Sequence, residues 1–145
     1  MIKRIEEQDL PRLKILYDQL VSKPSNPDML LRRFREVRDD EHYLLLGIYD
    51  AEGVLRGSVS LSKCLDLSGD CLYYYNLENL VIDEECRRCG YGKELLKYCE
   101  EYVGTHDGHY LNLTSSMKRK DAHLFYERLG YGDYPVRGFK KIIKE

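Results

Sequence analysis

The sequence predicts a mixed α/β (α+β) fold, a single sheet with helices on its faces and the element order β-α-α-β-β-β-α-β-α-β. Three observations point there. Two helical stripes occupy the first 38 residues, three strand-like runs follow one another between residues 43 and 82, and helix and strand alternate from there to the end. At 145 residues the chain has the size of one compact domain spanning residues 1–145, long enough to bury a core. It carries no internal repeat, low-complexity segment or linker.

Taken in order, Ile2 and Ile5 mark a short first strand. Asp9 is placed to cap a helix with Pro11 in its first turn, and Leu10, Leu13, Leu16, Tyr17 and Leu20 share one of its faces. The chain turns at Pro24-Ser25-Asn26-Pro27. Asn26 then caps a second helix with Leu30, Leu31, Phe34 and Val37 inward and Arg32, Arg33, Arg35 and Arg38 mostly on other faces. Residues 43–49 and 54–65, separated by Asp50-Ala51-Glu52-Gly53, read as a β-hairpin, and residues 73–82 as a third, longer strand. A helix follows with Tyr91, Leu95, Tyr98, Cys99 and Tyr102 inward and Gly104 near its end. Residues 110–114 form another strand, and Ala122, Phe125, Tyr126 and Leu129 a helical stripe that Gly130 terminates. Phe139, Ile142 and Ile143 suggest a last strand.

The formal net charge of −2 argues against a general nucleic-acid binder, although local basic clusters can still meet a phosphorylated ligand. The N-terminus lacks the apolar core of a signal peptide and no apolar run is long enough to span a bilayer, so the expectation is a cytoplasmic protein with no membrane partner. Five cysteines, an odd number without a secretory signal, fit free thiols in a reducing compartment. Cys86-x-x-Cys89 has a spacing that metals and redox centres use. Cys99, His106, His109 and His123 offer no second paired spacing for zinc, so no metal is expected, and the pair lies within an arginine- and glycine-containing turn unlike that of a thioredoxin-type redox motif, so the two cysteines read as incidental.

That turn carries the most chemical information. Leu80-Val81-Ile82 ends the long strand, Arg87-x-x-Gly90-x-Gly92 follows, and Lys93 lies at the start of the next helix. Glycines let a ligand approach the backbone, and the unpaired N–H groups of a helix start converge on a phosphate or pyrophosphate. A P-loop would place a glycine earlier and a Ser or Thr after the lysine, where Cys86 and Glu94 stand. A dinucleotide fold would open with the motif near its first strand.

The remaining strand-turn-helix candidate is the GNAT acyltransferase superfamily, which this chain resembles in two ordered motifs. A strand ending in L-x-V followed by Q/R-x-x-G-x-G/A matches Leu80-Val81-Ile82 with Arg87, Gly90 and Gly92. The pattern N-x-x-A-x-x-F/L-Y-E-x-x-G-F/Y matches from Ala122 through Phe125, Tyr126 and Glu127 to Gly130 and Tyr131, with Arg119 where asparagine is common. The resemblance implies a GNAT-type mixed, largely antiparallel central sheet and acetyl-CoA (coenzyme A), or another short acyl-CoA, as cofactor. It sets the pyrophosphate on backbone N–H groups of Arg88, Cys89, Gly90, Tyr91, Gly92 and Lys93, beside the Arg87 side chain. It also lays the pantetheine arm along Leu80, Val81 and Ile82, where the Ile82 N–H polarises the thioester carbonyl.

The same resemblance implies N-acetyl transfer to a primary amine, here of a small molecule, by direct attack through a tetrahedral intermediate. Glu78 lies on the strand where several members carry a base, and strict alternation sets it on the face of Leu80 and Ile82 unless a bulge intervenes. A carboxylate with a pKa of about 4.3 is a poor direct base for an alkyl amine, so a water relay or attraction of the cation suits it better. Its other reading is a strand-surface carboxylate. Tyr126 matches the family tyrosine that protonates the departing thiolate; core packing is its plainer role. Lys118-Arg119-Lys120 reads mainly as a solvated face, with the coenzyme's 3′-phosphate as its other use. Acetylation of protein or peptide amines, and a non-catalytic acyl-CoA-binding module, stay open as alternatives. Ile142 and Ile143 are candidates for pairing with a second copy as a homodimer, while Arg137, Lys140, Lys141 and Lys144 suit an exposed edge equally.

Overall fold

The computed structural model describes residues 1–145. Its elements are β1 (Ile2–Arg4), α1 (Leu10–Leu20), α2 (Pro27–Val37), β2 (Tyr43–Tyr49), β3 (Leu55–Leu65), β4 (Tyr73–Ile82), α3 (Tyr91–Thr105), β5 (Gly108–Leu113) and α4 (Lys120–Arg128). One sheet runs β1-β2-β3-β4-β5, and the pairings from β1 to β4 are all antiparallel. The chain divides into two compact units, Met1–Asn112 and Leu113–Glu145.

In the first unit, Asn26 caps α2 as the sequence predicts, its side chain accepting the Met29 N–H at 3.0 Å. Asp9 does something else. A 3-10 turn over Glu7–Asp9 already feeds α1, so the Asp9 carboxylate closes that turn by accepting the Glu6 N–H at 2.9 Å and takes the Tyr49 hydroxyl at 2.8 Å. The β2–β3 hairpin is shaped by Asp50, which accepts the N–H groups of Glu52 and Val54 at 3.0 and 2.9 Å.

Both faces of the sheet are covered. Under α1 and α2 lies a core of Ile5, Leu10, Leu13, Leu16, Phe34, Tyr49, Leu55 and Val81. On the opposite face α3 buries Leu95, Leu96, Cys99 and Val103 against strands whose Leu46, Ile48, Val59 and Leu61 are fully enclosed. The stripe is therefore rotated from the one expected. Tyr98 is 38% exposed, and Tyr102 sits at the margin, stacked on His106 with centroids 3.8 Å apart and edge-on to Tyr75. Tyrosine suits such a margin, with an apolar ring and a polar tip.

In the second unit, Ala122, Phe125, Tyr126 and Leu129 form the half-buried stripe of α4, and Gly130 follows the helix at a φ of 90° that favours glycine. The expected last strand does not form. Phe139, Ile142 and Ile143 lie 87%, 63% and 80% exposed in irregular chain. Apolar content alone does not make a strand: its N–H and C=O groups need a ladder partner, and the neighbouring Lys140, Lys141 and Lys144 keep this segment well solvated. No helix is long and apolar enough to cross a membrane.

Candidate active site

β4 is interrupted by a bulge at the point where the sequence sets the chemistry. Ser60 faces Glu78 but Ser58 faces Val81, so three residues of β4 span two of β3, and Asn79 takes a φ of 53°. One extra residue exchanges the faces downstream. Glu78 consequently shares its face with Val81, on the α1–α2 side, and not with Leu80 and Ile82 as unbroken alternation would have it. Glu78 is exposed and Leu80 and Ile82 half-buried. The fully buried Ser60 secures the bulge by donating its hydroxyl to the Glu78 carbonyl at 3.1 Å. Ser62 and Asn76, paired across the same two strands, continue the Glu78 face as a polar row.

Beyond the bulge the ladder orients one more group. The Asp83 N–H donates to Arg56 O at 2.7 Å, so the adjacent Gly57–Ile82 pair is the non-hydrogen-bonded kind, and the Ile82 N–H points away from β3. Gly57 is needed there. A Cβ on it would come within 2.5 Å of Ile82 Cδ1 and 2.9 Å of the Val81 carbonyl oxygen.

The turn into α3 is irregular. A 3-10 turn over Glu84–Cys86 leads to Arg88 at a φ of 66° and Gly90 at a φ of 87°, the residue that precedes α3. The first intrahelical bond is that of the Glu94 N–H to Gly90 O at 3.0 Å. The N–H groups of Tyr91, Gly92 and Lys93 precede it and point out of the helix start. A Cβ on Gly90 would meet nothing within 4 Å, so open space lies beside it. Arg87, Arg88, Cys89 and Lys93 are exposed around this opening, with Tyr91 and Gly92 half-buried. Outward-pointing N–H groups, a helix start and three exposed cations are the chemistry that attracts an anion.

Asp83, which sequence reasoning passed over, holds this turn to the sheet. Its carboxylate is 1% exposed and pairs with Arg12 from α1 and, at 3.1 Å, with Arg56 from β3. It also accepts the Glu85 N–H at 3.3 Å and the Gln19 amide at 3.4 Å, while Gln19 Oε1 accepts the Glu84 N–H at 3.0 Å. Burial works to raise the Asp83 pKa, but the Glu85 N–H, Arg56, Gln19 and Arg12 outweigh it and leave the carboxyl below its ordinary value. Its only sequence signal is an acidic residue ending an apolar strand; its partners lie up to 71 residues away.

Tyr126 lies on α4 in the second unit, with its ring edge-on to Phe125 and Tyr131 at centroid distances of 5.4 and 6.0 Å. Burial raises its phenol above the ordinary tyrosine value, against the opposing pull of Arg119, so it stays protonated through neutral pH. Arg119 itself precedes α4 without a side-chain cap and is exposed with Lys118 and Lys120.

A sequence profile of the Acetyltransferase (GNAT) family matches residues 8–131, a span that takes in most of the first unit and the first part of the second. Over 102 residues, 70% of each chain, the sequence is 29% identical to YhdJ, an uncharacterized N-acetyltransferase of Bacillus subtilis (strain 168). Among solved structures, a transcriptional regulator from Bacillus halodurans C-125 superposes with a TM-score of 0.90 at 23% identity, covering 99% of both chains. The glucosamine-6-phosphate N-acetyltransferase of Arabidopsis thaliana does so with a TM-score of 0.81 at 21% identity, covering 99% of this chain and 98% of its own. Both are likenesses of fold.

Proposed function

The chain belongs to the acetyltransferase (GNAT) family and is an acyltransferase, and from that premise we propose that it moves an acetyl group from acetyl-CoA to the primary amine of a small molecule. The observation that carries the proposal is the β4–turn–α3 opening, where the unpaired N–H groups of Tyr91, Gly92 and Lys93, the left-handed Gly90 and the Arg87 guanidinium fit a pyrophosphate. Acetyl-CoA bound there supplies an acetyl thioester. The Ile82 N–H, turned away from β3, donates to the thioester carbonyl oxygen and steadies the charge that gathers there as the amine attacks. Leu80 and Val81 contribute backbone to the same strand end.

Glu78, exposed on β4, draws the acceptor ammonium and takes its proton through water. Tyr126 holds at Oη the proton that the leaving thiolate needs, and its burial keeps that proton in place through neutral pH. The polar row of Ser62, Asn76 and Glu78 supports an acceptor that offers hydrogen-bonding groups of its own. The family match from 8 to 131 supports reading both units as one acyltransferase domain.

The test is release of free CoA from acetyl-CoA across a panel of amino sugars, aminoglycosides, polyamines, amino acids and lysine peptides. Turnover with a metabolite amine and none with peptides is the expected outcome. Selective turnover of peptides would move the acceptor to protein amines, and CoA binding without thiol release from any amine would leave a binding module.

A further inference from the structure

We propose that Cys86 and Cys89 form a dithiol site in the turn between β4 and α3, which exchanges with low-molecular-weight disulfides to close an intramolecular disulfide. The backbone is already folded for it. Arg87 has φ −63° and ψ 147°, Arg88 follows at a φ of 66°, and the Cys89 N–H donates to Cys86 O at 3.4 Å. These are the dihedrals of a type II β-turn with Arg88 in the left-handed position that glycine normally fills. Such a turn brings its first and fourth Cα atoms within about 7 Å, and about 7 Å is also the separation beyond which two cysteines cannot be bridged without moving the backbone.

The two thiols differ as an attacking and a resolving pair must. Cys89 is exposed, with its Sγ 3.7 Å from the Arg87 carbonyl oxygen. Cys86 is half-buried beneath the turn, where Arg56, Asp83, Glu85 and Cys89 are all close enough to act on it electrostatically, and burial raises its pKa. The other three cysteines lack such a partner arrangement: Cys99 is enclosed, its thiol pushed up to about 12 by burial, Cys64 is half-buried with its Sγ accepting the Asn76 amide at 3.6 Å, and Cys71 is exposed with its Sγ donating to Leu67 O at 3.3 Å.

In the first step the Cys89 thiolate attacks one sulfur of the small disulfide, forming a mixed disulfide and releasing one thiol, which takes up the proton lost from Cys89. The Cys86 thiolate then attacks the Cys89 sulfur, forming the internal bond and releasing the second thiol. Two cysteine thiols are oxidised and one small disulfide is reduced to two thiols. The consequence for the donor site rests on the acetyl-CoA reading above. The bridge fixes the turn in the conformation that presents the α3 N–H groups, so less ordering remains when the anion binds, and affinity rises several-fold.

The test treats the whole chain with 2-hydroxyethyl disulfide and reads peptide masses, followed by CoA titration calorimetry of the oxidised and reduced forms. Cys71 should keep a mixed-disulfide adduct, while the peptide holding Cys86 and Cys89 loses two hydrogens and carries no adduct. Cys86→Ser should trap the adduct on Cys89, and Cys89→Ser should abolish the reaction in the turn. A stable adduct on Cys89 in the unmodified sequence, or a reduced pair while Cys71 reacts, overturns the exchange site. An oxidised chain that binds CoA no tighter overturns the coupling. A reduced chain that binds no CoA overturns the donor-site reading instead and leaves the mass result standing.

Discussion

In Met1–Asn112 the side chains of Leu13, Leu16, Leu46, Ile48, Val59, Leu61, Leu95 and Leu96 are almost completely sealed from solvent, and a buried carboxylate ties α1 and β3 to the turn before α3. Leu113–Glu145 has no fully buried side chain; its helix packs by a half-buried stripe, and Tyr134, Val136 and Phe139 are 84%, 78% and 87% exposed. The groups assigned to the donor thus stand on a densely packed frame, while the proposed proton donor Tyr126 stands on a lightly packed segment. Global stability should report mainly the first region, and turnover should be sensitive to both.

The sharpest test of that contrast is a pair of truncations. Leu61→Ala opens a cavity among fully enclosed neighbours and should cost about 3 kcal/mol in chemical denaturation, whereas Phe125→Ala should cost about 1 kcal/mol for the smaller area that a half-buried ring removes from water. Equal losses would break the comparison. Next, Gly92→Glu places a negative charge at the α3 start and should weaken CoA binding by about 100-fold, a cost of the size that like-charge juxtaposition imposes; unchanged affinity in a folded variant contradicts the anion site. Its counterpart in the other region is Tyr126→Phe, which should lower kcat by about 100-fold, the low end for removing a positioned general acid, with KM for acetyl-CoA nearly unchanged. Full turnover at neutral pH would reduce Tyr126 to packing.

The smallest effect concerns pH. Because the folded-state pKa of Asp83 lies below its ordinary value, its contribution to stability is fully present above the unfolded value of about 3.9 and is lost as pH falls through the folded one. The stability gap between the native chain and Asp83→Asn should therefore be largest near neutrality and shrink below about pH 4. A gap independent of pH would mean that the asparagine is costly for its shape and not for its missing charge.

Much of this was legible in the sequence because it is local. Stripe periodicity located α1 and α2, the Asp50-to-Gly53 turn located the hairpin, and Gly90 and Gly92 marked the irregular turn into α3, since turn chemistry needs only neighbours along the chain. The misses share one cause. The rotated α3 stripe depends on which of its apolar groups the sheet accepts, the absent last strand on whether a ladder partner exists, and the Asp83 cluster on residues brought together from α1, β3 and β4. Tertiary context decides each of these, and it left the residue before the bulge, Glu78, facing the other way.

That bulge has an engineering consequence. With Asn79 inserted into its pleat, β4 is read in two frames, much as a message is after a single added letter: even-numbered side chains up to Glu78 and odd-numbered ones from Val81 address the same side. In the proposed reaction one strand then serves two clients, an acceptor through side chains upstream and a donor through backbone downstream. Deleting Asn79 would restore a single frame and force the strand to choose between them.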